Sequence, residues 1–290
     1  MPNSGTMRAS DLICVLLLFL AAALPAAGQC MPLDPALAAG KAFSPGERLT
    51  YIAHYQWGAL RMDVGTADVS LDVDTLYGGR TLLHATAVGR TYRFWDMFFK
   101  VRDTYESKFY QDDILPVYFH RDVHEGKYTV LNYYRWDPAT RHIDATVVKP
   151  DRTVDTLLPG HGCTFDILTL LYHARNMDFD ALAQGVNNPV SFAIDEEIFD
   201  IYFRYIGREV KKVPGKGSFR TLKFAAKVVA GEVFTGEEEM IIWVSDDMNR
   251  VPLYFESPVR VGSVCGRLAG WENLKYPFNS MIPKNAKKKR

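Results

Sequence analysis

Apolar and polar side chains alternate along residues 48–57, RLTYIAHYQW. The apolar set comprises Leu49, Tyr51, Ala53, Tyr55 and Trp57. Successive side chains of a β-strand point to opposite faces, so a period of two predicts a strand with one buried face and one solvated face. Strands of this kind are typical of antiparallel sheets, because strands of a parallel sheet are buried on both faces.

The same alternation recurs along residues 68–74, 127–136, 199–205 and 221–228. Turn-forming residues separate such segments, and they occur at Tyr77-Gly78-Gly79-Arg80, Glu125-Gly126, Asp137-Pro138-Ala139-Thr140 and Ser245-Asp246-Asp247-Met248-Asn249. Gly, Pro, Asn and Asp supply the backbone conformations that tight connections need. We therefore predict about a dozen antiparallel strands.

Residues 164–176 break the alternation and are predicted to form a helix. Thr164 can cap its N-terminus, and Asp166 lies in the first turn. His173 and Arg175 lie in the last turn, where positive charge suits the helix dipole. Apolar side chains cover most of its circumference, which indicates a buried helix. A second short helix is predicted over residues 178–184.

The predicted fold class is mainly β. Large curved antiparallel sheets form a partly open barrel or β-roll in two lobes, with one buried central helix. The lobes span about residues 43–160 and 188–276, and the helix over 164–176 joins them. Residues 29–42 are interpreted as an N-terminal linker, and residues 277–290 as a basic disordered tail.

Residues 1–28 are predicted to be a secretory signal peptide. Arg8 precedes an uninterrupted apolar run from Leu12 to Leu24, and Ala26-Ala27-Gly28 supplies the small residues that signal peptidase requires. This run is too short to cross a membrane, which takes about 20 apolar residues. We therefore expect a periplasmic or secreted protein that is cleaved near Gly28 and has no transmembrane span.

Three cysteines follow the predicted leader: Cys30, Cys163 and Cys265. A lipidated cysteine normally follows a small residue, but bulky Gln29 precedes Cys30, so a lipid anchor is not expected. An odd number of cysteines leaves one unpaired in an exported chain. Cys163 and Cys265 form the candidate disulfide, and the alternative is that both are small buried apolar side chains.

The composition argues against several classes of function. The chain has 34 Lys and Arg against 34 Asp and Glu, so it lacks the basic footprint of a nucleic-acid-binding protein. Gly215-Lys216-Gly217-Ser218 lacks the rest of a phosphate-binding loop and fits a turn between strands. No cysteine or histidine pair has the spacing of a metal motif. We expect no cofactor and no metal.

Two groups of potential metal ligands have a simpler explanation. His120 and His124 are four residues apart, a spacing that brings ligands together on a helix but not on a strand. Asp246, Asp247 and Asn249 carry oxygen ligands of the kind that calcium prefers, but the full calcium-loop pattern is missing. We interpret this second group as turn residues.

His161, Cys163 and Asp166 form the nearest approach to a catalytic group. A cysteine nucleophile needs a base, and the base needs an orienting group. His161 and Cys163 are two residues apart in a glycine-containing loop, a spacing that promises no hydrogen bond between them. A loop histidine beside a buried cysteine is the favoured interpretation, and no catalytic residue is assigned.

Residues 92–99, YRFWDMFF, contain five aromatic residues and a methionine, with basic residues beside them. One interpretation places them in the core, where the helix docks. The other makes them a pocket for an apolar ligand or a loop that touches a membrane. Aromatic faces also suit sugar rings, so a glycan remains a third ligand. The candidate ligand-binding residues are Tyr92, Arg93, Phe94, Trp95 and Phe98.

Three segments together resemble a known family: FSPGERLTY at 43–51, DILTLLYHAR at 166–175 and IWVSDDMNRVP at 242–252. They resemble, in this order and spacing, domain-of-unknown-function family 3108 of exported bacterial proteins, over residues 43–270. The resemblance implies a secreted or periplasmic, mostly antiparallel β-protein without an established activity. Residues 26–29 also resemble the ends of signal peptides from Bacteroidetes-type bacteria.

The favoured function is a non-catalytic binding or scaffold protein of the cell envelope. Its expected ligand is an apolar or amphipathic molecule such as a lipid or glycolipid, and a glycan or an envelope protein is the alternative partner. An envelope hydrolase that uses Cys163 or a carboxylate pair is the enzymatic alternative. A third hypothesis, an outer-membrane barrel, conflicts with the buried helix and the basic C-terminus. A monomer is the expected state.

Overall fold

The computed structural model describes residues 32–38, 41–227, 239–259 and 262–283. The predicted signal peptide, Cys30 and the Lys-rich C-terminus lie outside these residues. No helix in the described part of the chain is long and apolar enough to span a membrane.

The secondary structure is dominated by strands. In chain order the elements are α1 (Pro35–Ala38), β1 (Arg48–Trp57), β2 (Leu60–Tyr77), β3 (Arg80–Thr91), β4 (Val101–Tyr110), β5 (Pro116–Glu125), β6 (Tyr128–Trp136), β7 (Ile143–Lys149), β8 (Arg152–Leu158), β9 (Thr164–Phe165), α2 (Ile167–Ala174), β10 (Asn187–Ile194), β11 (Glu197–Val213), β12 (Gly217–Lys227), β13 (Glu239–Ser245), β14 (Pro252–Pro258), β15 (Ser263–Glu272) and β16 (Met281–Ile282).

All of these strands belong to one sheet, with the order β8-β7-β6-β5-β4-β3-β2-β1-β15-β14-β13-β12-β11-β10-β9 and with β16 paired to β12. Every pairing is antiparallel except the short parallel one between β9 and β10. Strands β1–β8 form one half of this sheet and β9–β15 the other, and the two halves meet where β1 pairs with β15, as at Arg48 and Glu272. The prediction of a mainly antiparallel β-fold is confirmed, although it contains one continuous sheet rather than several.

The core shows how the sheet curves. Phe119, Tyr134 and Val147, from β5 to β7, share one apolar cluster with Ala193 of β10. Strands from opposite ends of the strand order therefore pack against each other through side chains. This contact gives the sheet its barrel-like closure.

Helix α2 lies against the inner side of the first half of the sheet. Leu168 and Tyr172 of α2 pack against Leu83 of β3 and Phe109 of β4, together with Phe43. The predicted buried helix is thereby confirmed, but it is shorter than the 164–176 range. The reason is that the chain before it pairs with β10 instead of turning into the helix.

The N-terminal cap of α2 differs from the predicted one. Asp166, not Thr164, is the cap: its Oδ1 accepts hydrogen bonds from the backbone N–H groups of Leu168 and Thr169, at 2.9 and 2.8 Å. Ser107 Oγ donates to the same carboxylate at 2.5 Å. Thr164 is extended because it belongs to β9. Burial raises the pKa of Asp166, and the donors around it act in the opposite direction.

The second predicted helix, over residues 178–184, is only a 3-10 turn at Phe179–Ala181. Asp178 caps this turn by accepting from the backbone N–H groups of Asp180 and Ala181. The chain then extends toward β10, so the turn does not continue as a helix.

Both chain ends of the described region pack onto the sheet. In the predicted linker, Leu37 is buried and Asp34 forms an ion pair with Arg250. In the predicted tail, Phe278 packs on Trp271, and residues 281–282 form β16. Residues 277–283 are therefore part of the fold, because this segment hydrogen-bonds to β12.

Candidate functional site

The aromatic segment forms the connection between β3 and β4, which we call the aromatic loop (residues 92–100). Its apolar side chains face outward: Phe94 is 60% exposed, Met97 73% and Phe98 70%. The interpretation of this segment as core at the helix contact is therefore wrong. Helix α2 contacts the opposite ends of β3 and β4, and so it does not reach the loop.

The rings of the aromatic loop support one another. A 3-10 turn at Trp95–Met97 brings three rings together, with centroid distances of 5.2 Å for Phe94 to Trp95, 5.7 Å for Phe94 to Phe98 and 5.9 Å for Trp95 to Phe98. The indole N–H of Trp95 donates to the backbone oxygen of Asp63 in β2, at 2.9 Å. Such tilted and edge-to-face contacts favour one arrangement of the rings.

An ion pair braces the base of the loop. Arg102 donates to the Asp96 carboxylate at 2.6 Å, and Thr91 Oγ1 donates to it at the same distance. These two donors, Arg102 first, lower the pKa of Asp96. The carboxylate therefore stays charged and holds both ends of the loop together.

The turn between β5 and β6 supports the loop from its other side. The backbone N–H of Gly126 donates to the oxygen of Lys100 at 2.8 Å. A Cβ atom at Gly126 would lie 3.0 Å from the ring of Phe99, and its φ of +61° also favours glycine. Phe99 thus rests directly on the Gly126 backbone.

The turn between β1 and β2 extends the apolar surface. Trp57 is 61% exposed, and Leu60 is also exposed. We call the aromatic loop together with residues 57–60 the aromatic rim. The alternation of residues 48–57 did not identify Trp57 and Leu60, because it places Trp57 on the buried side of a strand. The available signal was a turn, Gly58-Ala59, flanked by apolar residues instead of polar ones.

A carboxyl pair lies beneath the rim. Asp103 of β4 is 7% exposed and accepts a hydrogen bond from the backbone N–H of His124 at 3.0 Å. Burial raises the pKa of Asp103 to about 7, and the negative charge and hydrogen bond of Glu125 add to the effect. Two carboxylates that share a site cannot both ionise easily, so the pair holds a proton near neutral pH.

The arrangement of His161, Cys163 and Asp166 does not form a nucleophile site. Cys163 is disulfide-bonded, so it has no thiol. The ring of His161 hydrogen-bonds instead to Ser191 Oγ at 3.0 Å. Asp166 is occupied as the cap of α2. The hydrolase hypothesis based on Cys163 is therefore wrong.

The predicted disulfide between Cys163 and Cys265 is also wrong. Cys265 is a free, buried thiol on β15, packed in a cluster with Trp243 and Tyr254. Burial raises the pKa of this thiol, which keeps it protonated. The partner of Cys163 lies outside the described residues.

The suspected metal ligands have protein partners. His120 contacts Glu106 at 3.2 Å, and His124 contacts Asp122 at 2.8 Å. Asp247 accepts from the backbone N–H of Asn249 within its turn. In the part of the chain that the structure describes, no group of three or more His, Cys, Asp or Glu residues is arranged to hold a metal ion.

Two solved structures are similar to this chain. One is a β-barrel-like protein of domain of unknown function DUF1849 from Brucella abortus, with 10% identity, a TM-score of 0.49, and coverage of 78% of this chain and 97% of the other. The second is a putative exported protein with a YmcC-like fold from Bacteroides fragilis, with 8% identity, a TM-score of 0.35, and coverage of 84% and 100%.

No curated protein matches the chain. The model of a family described as protein of unknown function (DUF3108) matches residues 50–268, within the range expected from the three sequence segments. Because this match covers most of the chain, the protein belongs to the DUF3108 family.

Proposed function

We propose that this protein is an exported, non-catalytic binding protein of the cell envelope, with a lipid or glycolipid as its ligand. The observation that carries the proposal is the exposure of Phe94, Met97 and Phe98 on one braced loop. Single exposed apolar side chains are common on soluble proteins, whereas a contiguous set marks a contact surface. The aromatic loop is the surface that we assign to the ligand.

The loop offers both parts that an amphipathic ligand needs. Phe94, Trp95 and Phe98 present rings to an acyl chain, and each apolar Å² that leaves water contributes about 25 cal/mol. Tyr92 and Arg93 supply a hydroxyl and a positive charge for the headgroup. Because the rings already pack against each other, little side-chain entropy remains to be lost on binding.

Two observations support an envelope location and a non-catalytic role. Residues 1–28 read as a signal peptide, and a disulfide at Cys163 is typical of an oxidising compartment. Because Cys163 is disulfide-bonded, it has no free thiol that could act as a nucleophile beside His161 and Asp166. In the remaining carboxyl pair, Asp103 is buried and Glu125 is half-buried, which fits a structural role better than attack on a substrate.

A titration with monomeric lysophosphatidylcholine, below the concentration at which it forms micelles, tests the proposal by calorimetry. We expect saturable binding by the wild type and a loss of at least about tenfold in affinity for the double variant Phe94→Ser/Phe98→Ser. The matched control is Leu76→Ser/Tyr77→Ser, which removes two exposed apolar side chains at the opposite end of the sheet. Absence of binding by the wild type, or equal losses in both variants, would contradict the proposal.

A further inference from the structure

The acidic side chains nearest the aromatic loop have partners. Asp63 binds the guanidinium of Arg267 through two contacts of 2.8 Å, and this hydrogen bonding lowers the pKa of Asp63. Asp96 binds Arg102. Glu125 shares a hydrogen bond with the raised-pKa carboxyl of Asp103. Their negative charges are therefore compensated within the protein or, for the carboxyl pair, reduced by a shared proton.

Other basic side chains of the same region, beyond Arg102 and Arg267, are not compensated. Four of them are exposed and form no ion pair with any residue that the structure describes: Arg61, Arg93, Lys100 and Lys127. Arg61 follows the turn between β1 and β2, and Lys127 lies in the turn between β5 and β6. Arg93 and Lys100 lie within the aromatic loop. The aromatic rim is thus surrounded by uncompensated positive charge.

The aromatic loop and the two turns that carry these basic residues all lie at the same end of the sheet. The strand register pairs Trp57 with Leu60, and it pairs Gly65 of β2 with Thr91 of β3. It also pairs Val101 of β4 with Glu125 of β5. The turn between β1 and β2, the aromatic loop and the turn between β5 and β6 therefore project in the same direction. They can meet an extended surface together.

We propose that the aromatic rim docks onto the surface of an anionic lipid bilayer. This inference rests on the proposed function and adds the partner: a membrane with acidic headgroups. Aromatic side chains favour the level of the headgroups, where their rings are partly in contact with acyl chains. Exposed Lys and Arg side chains beside them are attracted by the negative surface potential of acidic lipids. The rim combines both properties.

The opposite end of the sheet lacks this combination. Leu76 and Tyr77 are exposed there. Asp74 lies close to them in the sequence, and Tyr77 pairs with Arg80, which contacts two aspartates. Asp112 and Asp113 both contact the guanidinium of Arg80, and Asp74 binds Lys108, so these two cations are compensated. Charge therefore orients the molecule so that the aromatic rim, and not the other end, faces an acidic surface.

Co-sedimentation with vesicles tests this inference. One set of vesicles is phosphatidylcholine alone, and the other contains about one third phosphatidylglycerol. We expect wild-type protein to bind the acidic vesicles and to dissociate as the salt concentration rises. The variant Arg93→Gln/Lys100→Gln should bind at least about tenfold more weakly. The matched control, Arg135→Gln/Lys212→Gln, removes two exposed cations away from the rim and should bind as wild type does.

The outcomes separate this inference from the proposed function. Binding of monomeric lysophosphatidylcholine without binding of either vesicle overturns the membrane inference and leaves the proposed function intact. Equal binding to neutral and acidic vesicles, or equal losses in the two charge variants, also overturns the inference. Binding to neither lysolipid nor vesicles overturns both. Equal melting temperatures of the variants show that differences in binding do not come from unfolding.

Discussion

Glu47 and Arg175 form a bidentate ion pair in the interior, with N–O distances of 2.5 and 2.8 Å. Both side chains are buried. The guanidinium of Arg175 also donates to the backbone oxygen of Asn249 at 3.0 Å. Glu47 precedes β1, Arg175 follows α2, and Asn249 lies between β13 and β14. One cation thus joins three segments that are distant in sequence.

The first prediction concerns this ion pair. Glu47→Gln keeps the side-chain shape but leaves the buried charge of Arg175 without its counterion. We expect the free energy of unfolding to fall by about 3–5 kcal/mol, measured by urea denaturation. The matched control is Asp72→Asn, which breaks the exposed pair with Arg48 and should cost about 0–1 kcal/mol. Similar losses in the two variants would contradict a special role of the buried pair.

The second prediction concerns pH. The folded-state pKa of Asp103 is raised to about 7, whereas an unfolded aspartate titrates near 4. The unfolded chain therefore loses this proton first, so the wild type loses stability as the pH rises from about 4 to about 7, and the loss is complete above that range. Asp103→Asn removes the titration and should gain stability relative to the wild type between pH 4 and 7.

Urea denaturation at pH 5 and pH 8 measures this effect. The stability difference between Asp103→Asn and the wild type should shift in favour of the variant at pH 8, by up to a few kcal/mol. Asp144→Asn, at an exposed position on β7, serves as the control for the loss of one carboxylate. A stability difference that is the same at both pH values would show that Asp103 titrates normally in the folded protein.

The third prediction concerns the cysteines. Cys265 is buried with a raised thiol pKa, so it should resist alkylation in the native protein. In denaturant without reductant, Cys265 should become labelled while Cys163 remains unlabelled, because Cys163 is disulfide-bonded. Labelling of Cys163 should require a reductant. Peptide mass spectrometry of the alkylated protein gives the result, and labelling of Cys163 before reduction would contradict it.

The fourth prediction uses two glycines with similar backbone geometry. Gly126 and Gly78 have φ values of +61° and +59°, but only at Gly126 would a Cβ meet a neighbour, the ring of Phe99. Alanine at either position should cost about 1–2 kcal/mol through backbone strain. Gly126→Ala should in addition displace Phe99 and weaken binding of lysophosphatidylcholine. Calorimetry on both variants tests this, and equal affinities would show that Phe99 does not depend on Gly126.

Local patterns were sufficient for the type of most elements. The alternation over residues 48–57 predicts β1 with its observed bounds, because a strand with one buried face imposes a period of two. The predicted buried face is correct only as far as Tyr51: His54 is buried and Trp57 is exposed, because the pairing with β2 shifts register between Ala53 and His54. The turn at Gly78-Gly79 was predictable because glycine adopts positive φ angles without a steric penalty, and both residues have positive φ in the structure. The apolar circumference of α2 predicts its burial, because side chains on every face need cover.

Local patterns could not choose between equivalent residues. Thr164 and Asp166 are both good helix caps, and the pairing of Thr164 with Ser191 in β10 decides that the helix starts after Asp166. Cys163 and Cys265 are both plausible disulfide partners, but Cys265 is a free thiol packed with Trp243 and Tyr254, whereas Cys163 is disulfide-bonded. Such choices depend on contacts between residues far apart in the chain.

The amino-acid sequence by itself determined that this protein is a chain of antiparallel strands around one buried helix, since period and turn chemistry act over a few neighbouring residues. Only the tertiary structure decided that residues 92–99 face solvent. Their composition suits a core as well as a surface. Their exposure follows from where β3 and β4 end and from the packing of α2 against the other end of these strands. No local sequence pattern encodes either feature.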